Sequence, residues 1–245
     1  MRDINFVNGE YYHIYNRGVD KREVFLDKKD YWKFFDGMRD FNNSTYYQDR
    51  LGALGLSTHS IRELHSSDFK QLGSFLAEQG KVVDIISYTL NPNHPHLIIR
   101  QLKDRGISNF MHKLGTSYTN YFNKKYDRSG ALFQGAYKII HINNNEYLLW
   151  LIGYINGNIE IHGLEKASDY PWSSYRAIWN ELGSLHKSGN EPSSLQNSLS
   201  KLSVLSGLNI ILEQFKNEKE FIDFVSQVIE ESKTKKEMKK YLLED

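Results

Sequence analysis

Asn91-Pro92-Asn93-His94-Pro95-His96-Leu97-Ile98-Ile99-Arg100 is the stretch on whose reading the fold turns. It follows the apolar run Val82-Val83-Asp84-Ile85-Ile86-Ser87-Tyr88-Thr89-Leu90, so it reads as a turn between two strands, with His94 and His96 opening the second. Residues two apart in an extended chain point to the same face. Two imidazoles on one face can hold a divalent ion between them. The same pair can equally be two polar histidines at a turn, so the rest of the chain has to decide.

Upstream, Gly9 to Gly18 is rich in aromatic and β-branched residues and predicts a strand. Asp27 is a good N-cap for a helix over Asp30 to Phe41, where Tyr31, Phe34, Phe35, Met38 and Phe41 recur at helical spacing. From Asn42 to about Gly80 periodicity fades, which predicts an insertion with a short helix near Asp68 to Gln79. Downstream, Gly106 to Tyr126 predicts a long helix capped by Ser108, and Ala131 to Ile142 is strand-like. One of Asn143, Asn144 and Asn145 caps a helix that ends at Gly157-Asn158. Tyr170-Pro171-Trp172 predicts a helix start with Pro171 near its first position.

The order strand, helix, strand-turn-strand, helix, strand, helix predicts an α+β fold. It is a ferredoxin-like antiparallel sheet with helices packed on it, followed by a C-terminal helical extension. The expected units are residues 1–182, a Ser- and Asn-rich linker over 183–200, and helices over 201–245 from Leu205 to Phe215 and Glu220 to Leu243.

Composition limits the function classes. The 245 residues contain no cysteine, which excludes disulfides and thiolate metal sites. No apolar run approaches a membrane span, and the start lacks the apolar core of a signal peptide, so a cytoplasmic protein is expected. A net charge of +1 argues against coating nucleic acid by bulk attraction, yet leaves room for a local basic groove. Between His112 and His141 stand Lys113, Lys124, Lys125, Arg128 and Lys138 against the single acid Asp127, a local excess of four. Phosphate contacts need such clusters. Phe133, Gln134 and Tyr137 in the same segment are suited to stacking on or reading unpaired bases.

A two-histidine metal site needs further ligands and partners that fix each ring. The best candidates lie on the helix from Asn145 to Asn158, where Tyr154 and Asn158, four apart, share a face with Tyr147. A tyrosine and an amide oxygen presented to such a metal point to phosphoryl transfer through a phosphotyrosine intermediate. On spacing alone Tyr118 and Tyr121 are equally eligible nucleophiles, and Tyr154 could be an ordinary half-buried aromatic.

Several blocks, taken together, carry a family resemblance. Tyr12-His13-Ile14-Tyr15-Asn16-Arg17-Gly18, Pro92-Asn93-His94-Pro95-His96-Leu97, Ser129-Gly130-Ala131-Leu132-Phe133-Gln134-Gly135, Tyr147-Leu148 with Tyr154-Ile155, and Asp169-Tyr170-Pro171-Trp172-Ser173-Ser174-Tyr175 occur in this order. They resemble the signature blocks of the REP-associated tyrosine transposases, in the single-tyrosine HUH transposase superfamily. The resemblance implies a metal-dependent enzyme that nicks and joins single-stranded DNA beside a recognised hairpin, as a monomer or homodimer. By position His94 and His96 match the metal pair, Tyr154 the nucleophile, and Asn158 the residue completing the metal shell. Mg²⁺ or Mn²⁺ suits imidazole, amide and phosphate donors better than a structural zinc does. Arg17 and Arg22, with Lys113, Arg128, Phe133, Gln134 and Lys138, are the expected DNA contacts.

This chain departs from the family pattern in three places. Pro95 stands between the histidines where a bulky apolar residue is usual, Ile159 follows Asn158 where proline is usual, and Gly153 and Gly157 flank the tyrosine turn. The Pro95 and Ile159 departures motivate an alternative, a hairpin-binding descendant without catalysis. A hydrolase of small substrates built on His94 and His96 would leave the tyrosine and arginine blocks unexplained.

Overall fold

The computed structural model describes residues 5–42, 80–185 and 204–241. The expected insertion and its short helix, and most of the expected linker, lie outside them. Four strands, β1 (Tyr11–Tyr15), β2 (Val83–Asn91), β3 (His94–Gln101) and β4 (Lys138–Ile142), form one antiparallel sheet in the order β2-β3-β1-β4. Helix α1 (Lys28–Asp40) connects β1 to β2, and α2 (Gly106–Lys125) connects β3 to β4. This is the expected ferredoxin-like arrangement. It is followed by α3 (Asn145–Ile161), α4 (Tyr175–Leu185), the short α5 (Asn209–Leu212) and α6 (Glu218–Tyr241).

Asp27 caps α1 as expected. Its carboxylate accepts from the Lys29 and Asp30 amides, and Asp30 reaches back to the Asp27 amide, so three otherwise orphaned donors are satisfied. Asn144 caps α3 by accepting from the Tyr147 amide at 2.7 Å. Ser108 does not cap α2, whose N-cap is Arg105 in a left-handed conformation without a side-chain bond. The strand expected from Ala131 begins only at Lys138. Before it, Phe133 makes an isolated bridge with Gly18, and Gly135 turns the chain at φ +75°.

Strand alternation assigns the two faces of the sheet. Tyr88 lies against Phe35 of α1, and α1 packs in turn with α2, which sets these two helices on one face. On the other, Ser87 of β2 bonds Asn156 of α3, and His96 of β3 lies against Tyr154. Pro95 therefore occupies an interior strand. Leu90, its cross-strand partner, donates its amide away from β3 to the Trp172 carbonyl, so the Pro95 nitrogen faces β1. There Asn16, one residue past the end of β1, donates to the Pro95 carbonyl, and the missing reciprocal bond costs the ladder only its last rung.

Pro171 does not start a helix. Residues Tyr170 to Ser174 run along the outer edge of β2: Leu90 donates to the Trp172 carbonyl, Ser174 donates to the Tyr88 carbonyl, and Thr89 bridges Ser173. This segment covers an edge that would otherwise expose unpaired backbone groups. Trp172 stacks on Tyr31 of α1 at 4.6 Å, which fastens the strap.

The C-terminal helix α6 closes over the outer side of α3. A Cβ at Gly153 would stand 2.8 Å from Val228 Cγ2, and one at Gly157 would run into Ile229 Cγ1. The two glycines thus permit a backbone approach that a larger side chain would block. α3 also runs three residues past the expected stop, to Ile161. In the tail, only a single turn, α5, forms between Leu205 and Phe215.

The same substitution at two helical glycines is expected to act with opposite sign. Gly157→Ala overpacks the α3–α6 contact and lowers stability by about 1–3 kcal/mol. Gly115→Ala, in α2 with nothing within 4 Å of its Cβ position, raises it by about 0.5–1 kcal/mol through helix propensity. Urea unfolding midpoints measure both.

Candidate active site between the histidine strand and α3

The residues at the centre of the site come from the β2–β3 hairpin, β1 and α3. The pair that closes the hairpin is Asn91 and His94. The Asn93 carboxamide oxygen can only accept, so His94 Nδ1 donates to it and Nε2 is left as the lone pair. That lone pair faces Asn91 Nδ2 at 3.1 Å, and the same amide nitrogen donates to Asn158 Oδ1. Two acceptors, one from the hairpin and one from α3, converge on a single NH2 group. A second imidazole contact fixes His96, whose Nδ1 lies 2.8 Å from His13 Nε2 with the rings stacked. Coordination through His96 Nε2 would require Nδ1–H, donating to His13.

Tyr154 is the candidate tyrosine that stands at the pair. Its ring meets that of His96 edge-on at 6.5 Å, and the His94 and His96 rings are 4.9 Å apart. Tyr118 donates to the Val24 carbonyl and Tyr121 to Asp30 Oδ1, both on the α1–α2 side of the sheet. Asn158 lies inside α3, fully buried, with Nδ2 unpartnered. It is therefore not a left-handed terminal residue.

Burial shapes the electrostatics. Desolvation holds His13 and His94 down to about 4, with His162 and Arg17 adding to the effect at His94. His96 is pushed well below its ordinary value, first by burial and then by His13 and His94. The rings are thus neutral, the form that ligates metal. Burial raises Tyr154, while the Asn158 amide and the Arg17 guanidinium draw it back. Two neutral imidazole nitrogens and an amide oxygen are a donor set that fits a divalent ion. Among the described residues no group of three or more His, Cys, Asp or Glu is arranged to hold one.

Of the expected DNA contacts, four gather at this end of the sheet. Arg17 acts on the charge states of Tyr154, His94 and His96. Gln134 donates its amide to the Arg17 carbonyl, Phe133 bridges Gly18, and the Lys138 ammonium lies 5.8 Å from the centre of the Tyr15 ring. The others are engaged elsewhere. Arg22 bonds within its own turn, to the Val19 carbonyl and Asp20. Arg128 bonds Asn123 and lies over Phe122 at the end of α2. Lys113 is on α2, on the far side of the sheet from the histidine pair. Lys125, part of the basic excess, is bound to Asp27 and Asp30.

Sequence reasoning missed Asn91, His13 and His162. Asn91 and His94 flank the two-residue turn, the closing position of a hairpin, and that spacing marks them as partners. His13 is two residues from Tyr15 and so shares its face. His162 follows Asn158 by four, as Asn158 follows Tyr154, and its ring meets that of His94 at 5.6 Å.

Neutral buried histidines make stability depend on pH with a definite sign. With folded values near 4 against about 6.5 unfolded, the unfolded chain binds more protons in between, so stability is complete above pH 6.5 and is lost as pH falls toward 4. The loss is on the order of 3 kcal/mol per ring. Urea unfolding in EDTA from neutral to acid pH is expected to show it, with a shallower slope in His13→Gln.

Residues 59–158, a span that contains His94, His96, Tyr154 and Asn158, match the family model described as "Transposase IS200 like". No curated protein matches the chain in sequence. Among solved structures, a REP-associated tyrosine transposase bound to a REP hairpin aligns with a TM-score of 0.50 at 14% identity, over 79% of this chain and 94% of that one. A candidate transposase from Deinococcus radiodurans r1 aligns at 12% identity over 68% of this chain and 98% of its own. Its TM-score of 0.34 is too low to carry an argument. Over the matched span this chain is similar to the IS200-like transposases, and its fold is similar to that of a REP-associated tyrosine transposase.

Proposed function

We propose that this chain cuts and rejoins single-stranded DNA beside a hairpin, with Tyr154 as nucleophile and His94, His96 and Asn158 as the protein ligands of Mg²⁺ or Mn²⁺. The observation that carries the reading is the meeting of Tyr154 with the His94/His96 pair within one chain, with Asn158 on the same helix face reaching the hairpin that presents the pair. The site is then complete in a single protomer.

The bound divalent ion would draw charge from the non-bridging phosphate oxygens and so make phosphorus a better electrophile. Tyr154 loses its hydroxyl proton and its oxygen attacks phosphorus. One strand oxygen leaves and takes up a proton, and the other strand end stays esterified to the tyrosine. Attack by a strand hydroxyl reverses the step, releases the tyrosine and restores a phosphodiester without ATP. Arg17, whose positive charge favours the Tyr154 phenolate, also suits the approaching phosphate. Lys138, Gln134 and Phe133 border the same end of the sheet and are proposed to guide the DNA.

One observation favours a second reading, hairpin binding without catalysis. The Asn91 NH2 already satisfies both His94 Nε2 and Asn158 Oδ1, so an ion must displace it.

A labelled hairpin oligonucleotide with a single-stranded flank decides between the two. With Mg²⁺ or Mn²⁺ the chain is expected to form a denaturant-resistant protein–DNA adduct that EDTA prevents and Tyr154→Phe abolishes, while hairpin affinity is kept. An adduct that persists in Tyr154→Phe rejects the nucleophile, and hairpin binding with no adduct in the wild type selects the second reading. His13→Ala, which frees the His96 ring, is expected to raise the metal concentration needed for half-maximal adduct formation by about 10–100-fold.

A further inference from the structure

The face of α3 that carries Tyr154 continues outward as a row of rings. Trp150 lies parallel to Tyr154, with centroids 5.2 Å apart and planes 13° apart, and Tyr147 lies parallel to Trp150 at 6.3 Å and 12°. All three are half-buried. The fully buried positions of the same helix are taken by Leu148, Leu151, Ile152, Ile155 and Ile159, and the aromatic row packs against the margin of that core with part of each ring left open. Opposite the row stands Tyr15 of β1, close enough to act on the ionisation of both Tyr147 and Tyr154. Tyr15 stacks on His96 at 5.4 Å and carries Lys138 above its ring. Parallel aromatic faces next to a cation-bearing strand are what an unpaired nucleic acid strand binds: bases extend the stack and the cations follow the phosphates.

We infer that Tyr147 and Trp150 are a base-stacking platform for the unpaired nucleotides next to the cleaved phosphate, and that the strand enters between α3 and the β1–β4 edge. This deepens the proposed nicking activity and rests on it for the identity of the phosphate. It makes its own demand, however: the platform binds single strands whether or not a hairpin is present. The rings' shared orientation directs the strand toward Tyr154, and every base has a face to stack, so the contact is tolerant of sequence.

The test is the affinity of the full chain for a short oligothymidylate, read by fluorescence anisotropy. Trp150→Ala is expected to weaken binding roughly tenfold, the loss of about one stacked base. Trp150→Phe is expected to recover most of it. Because the alanine variant removes a half-buried ring, wild-type protein crosslinked to 5-iododeoxyuridine oligonucleotide gives a second reading, with adducts expected on Tyr147 or Trp150. Oligothymidylate binding unchanged in Trp150→Ala with crosslinks elsewhere overturns the platform, and so does a wild type that binds no single strand. Trp150-dependent binding without a Tyr154 adduct leaves the platform standing and rejects the nicking reading. An adduct with Trp150-independent binding does the reverse.

Discussion

The seating of α3 is the constraint on which the site depends. Asn156 Nδ2 donates to Ser87 Oγ at 3.0 Å, Ser174 Oγ donates to Asn156 Oδ1 at 2.7 Å, and the two serine hydroxyls lie 2.9 Å apart. All three side chains are buried, so leaving any one unpaired costs about 1–3 kcal/mol, and the closed ring specifies a single depth and rotation for the helix. α6 presses on the opposite side, where only glycines at 153 and 157 let it come close. Tyr154 and Asn158, which flank Asn156 in sequence, inherit their positions from this clamp.

The strap from Tyr170 to Ser174 serves the same arrangement. It supplies Ser174 to the buried ring, covers the β2 edge, and is itself held by the Tyr170 hydroxyl, which donates to the Leu90 carbonyl. A segment that reads as a helix start is thus a piece of the sheet's margin, and it ties the hairpin to α1 through Trp172. The Lys125 cluster fastens the other layer. There Asp30, fully buried, receives the Lys125 ammonium at 2.7 Å and the Tyr121 and Tyr126 hydroxyls, and these contacts hold its carboxyl below the usual carboxylate range despite burial. Charges that look available for DNA in the sequence are used here to join α1 to α2.

Chemistry and stability draw on the same burial. Neutral imidazoles keep a lone pair each, at Nε2 in His94, at the expense of stability in acid. The converging acceptors of His94 and Asn158 are occupied by the Asn91 amide, which keeps buried lone pairs satisfied. The proposed metal binding requires that these polar contacts be exchangeable, whereas the proposal asks no opening of the Asn156 ring a turn away.

The sequence by itself determined the order of elements, the hairpin with His94 and His96 on one face, the Asp27 cap, an asparagine cap for α3 within residues 143–145, and the stripe that joins Tyr154 to Asn158. All of these follow from local periodicity, turn chemistry and capping, which act over a few residues. Spacing left Tyr154, Tyr118 and Tyr121 equivalent and only the family blocks favoured Tyr154; the tertiary structure separates them physically, because that depends on which face of the sheet each helix covers. It also decided that Pro95 falls where β1 ends, that Lys125, Arg22 and Arg128 are bound elsewhere, and that His13 and Asn91 hold the histidine pair. Those facts rest on contacts between segments far apart in the chain, such as His13 with His96 and Asn91 with Asn158, and no local pattern encodes a partner at that distance.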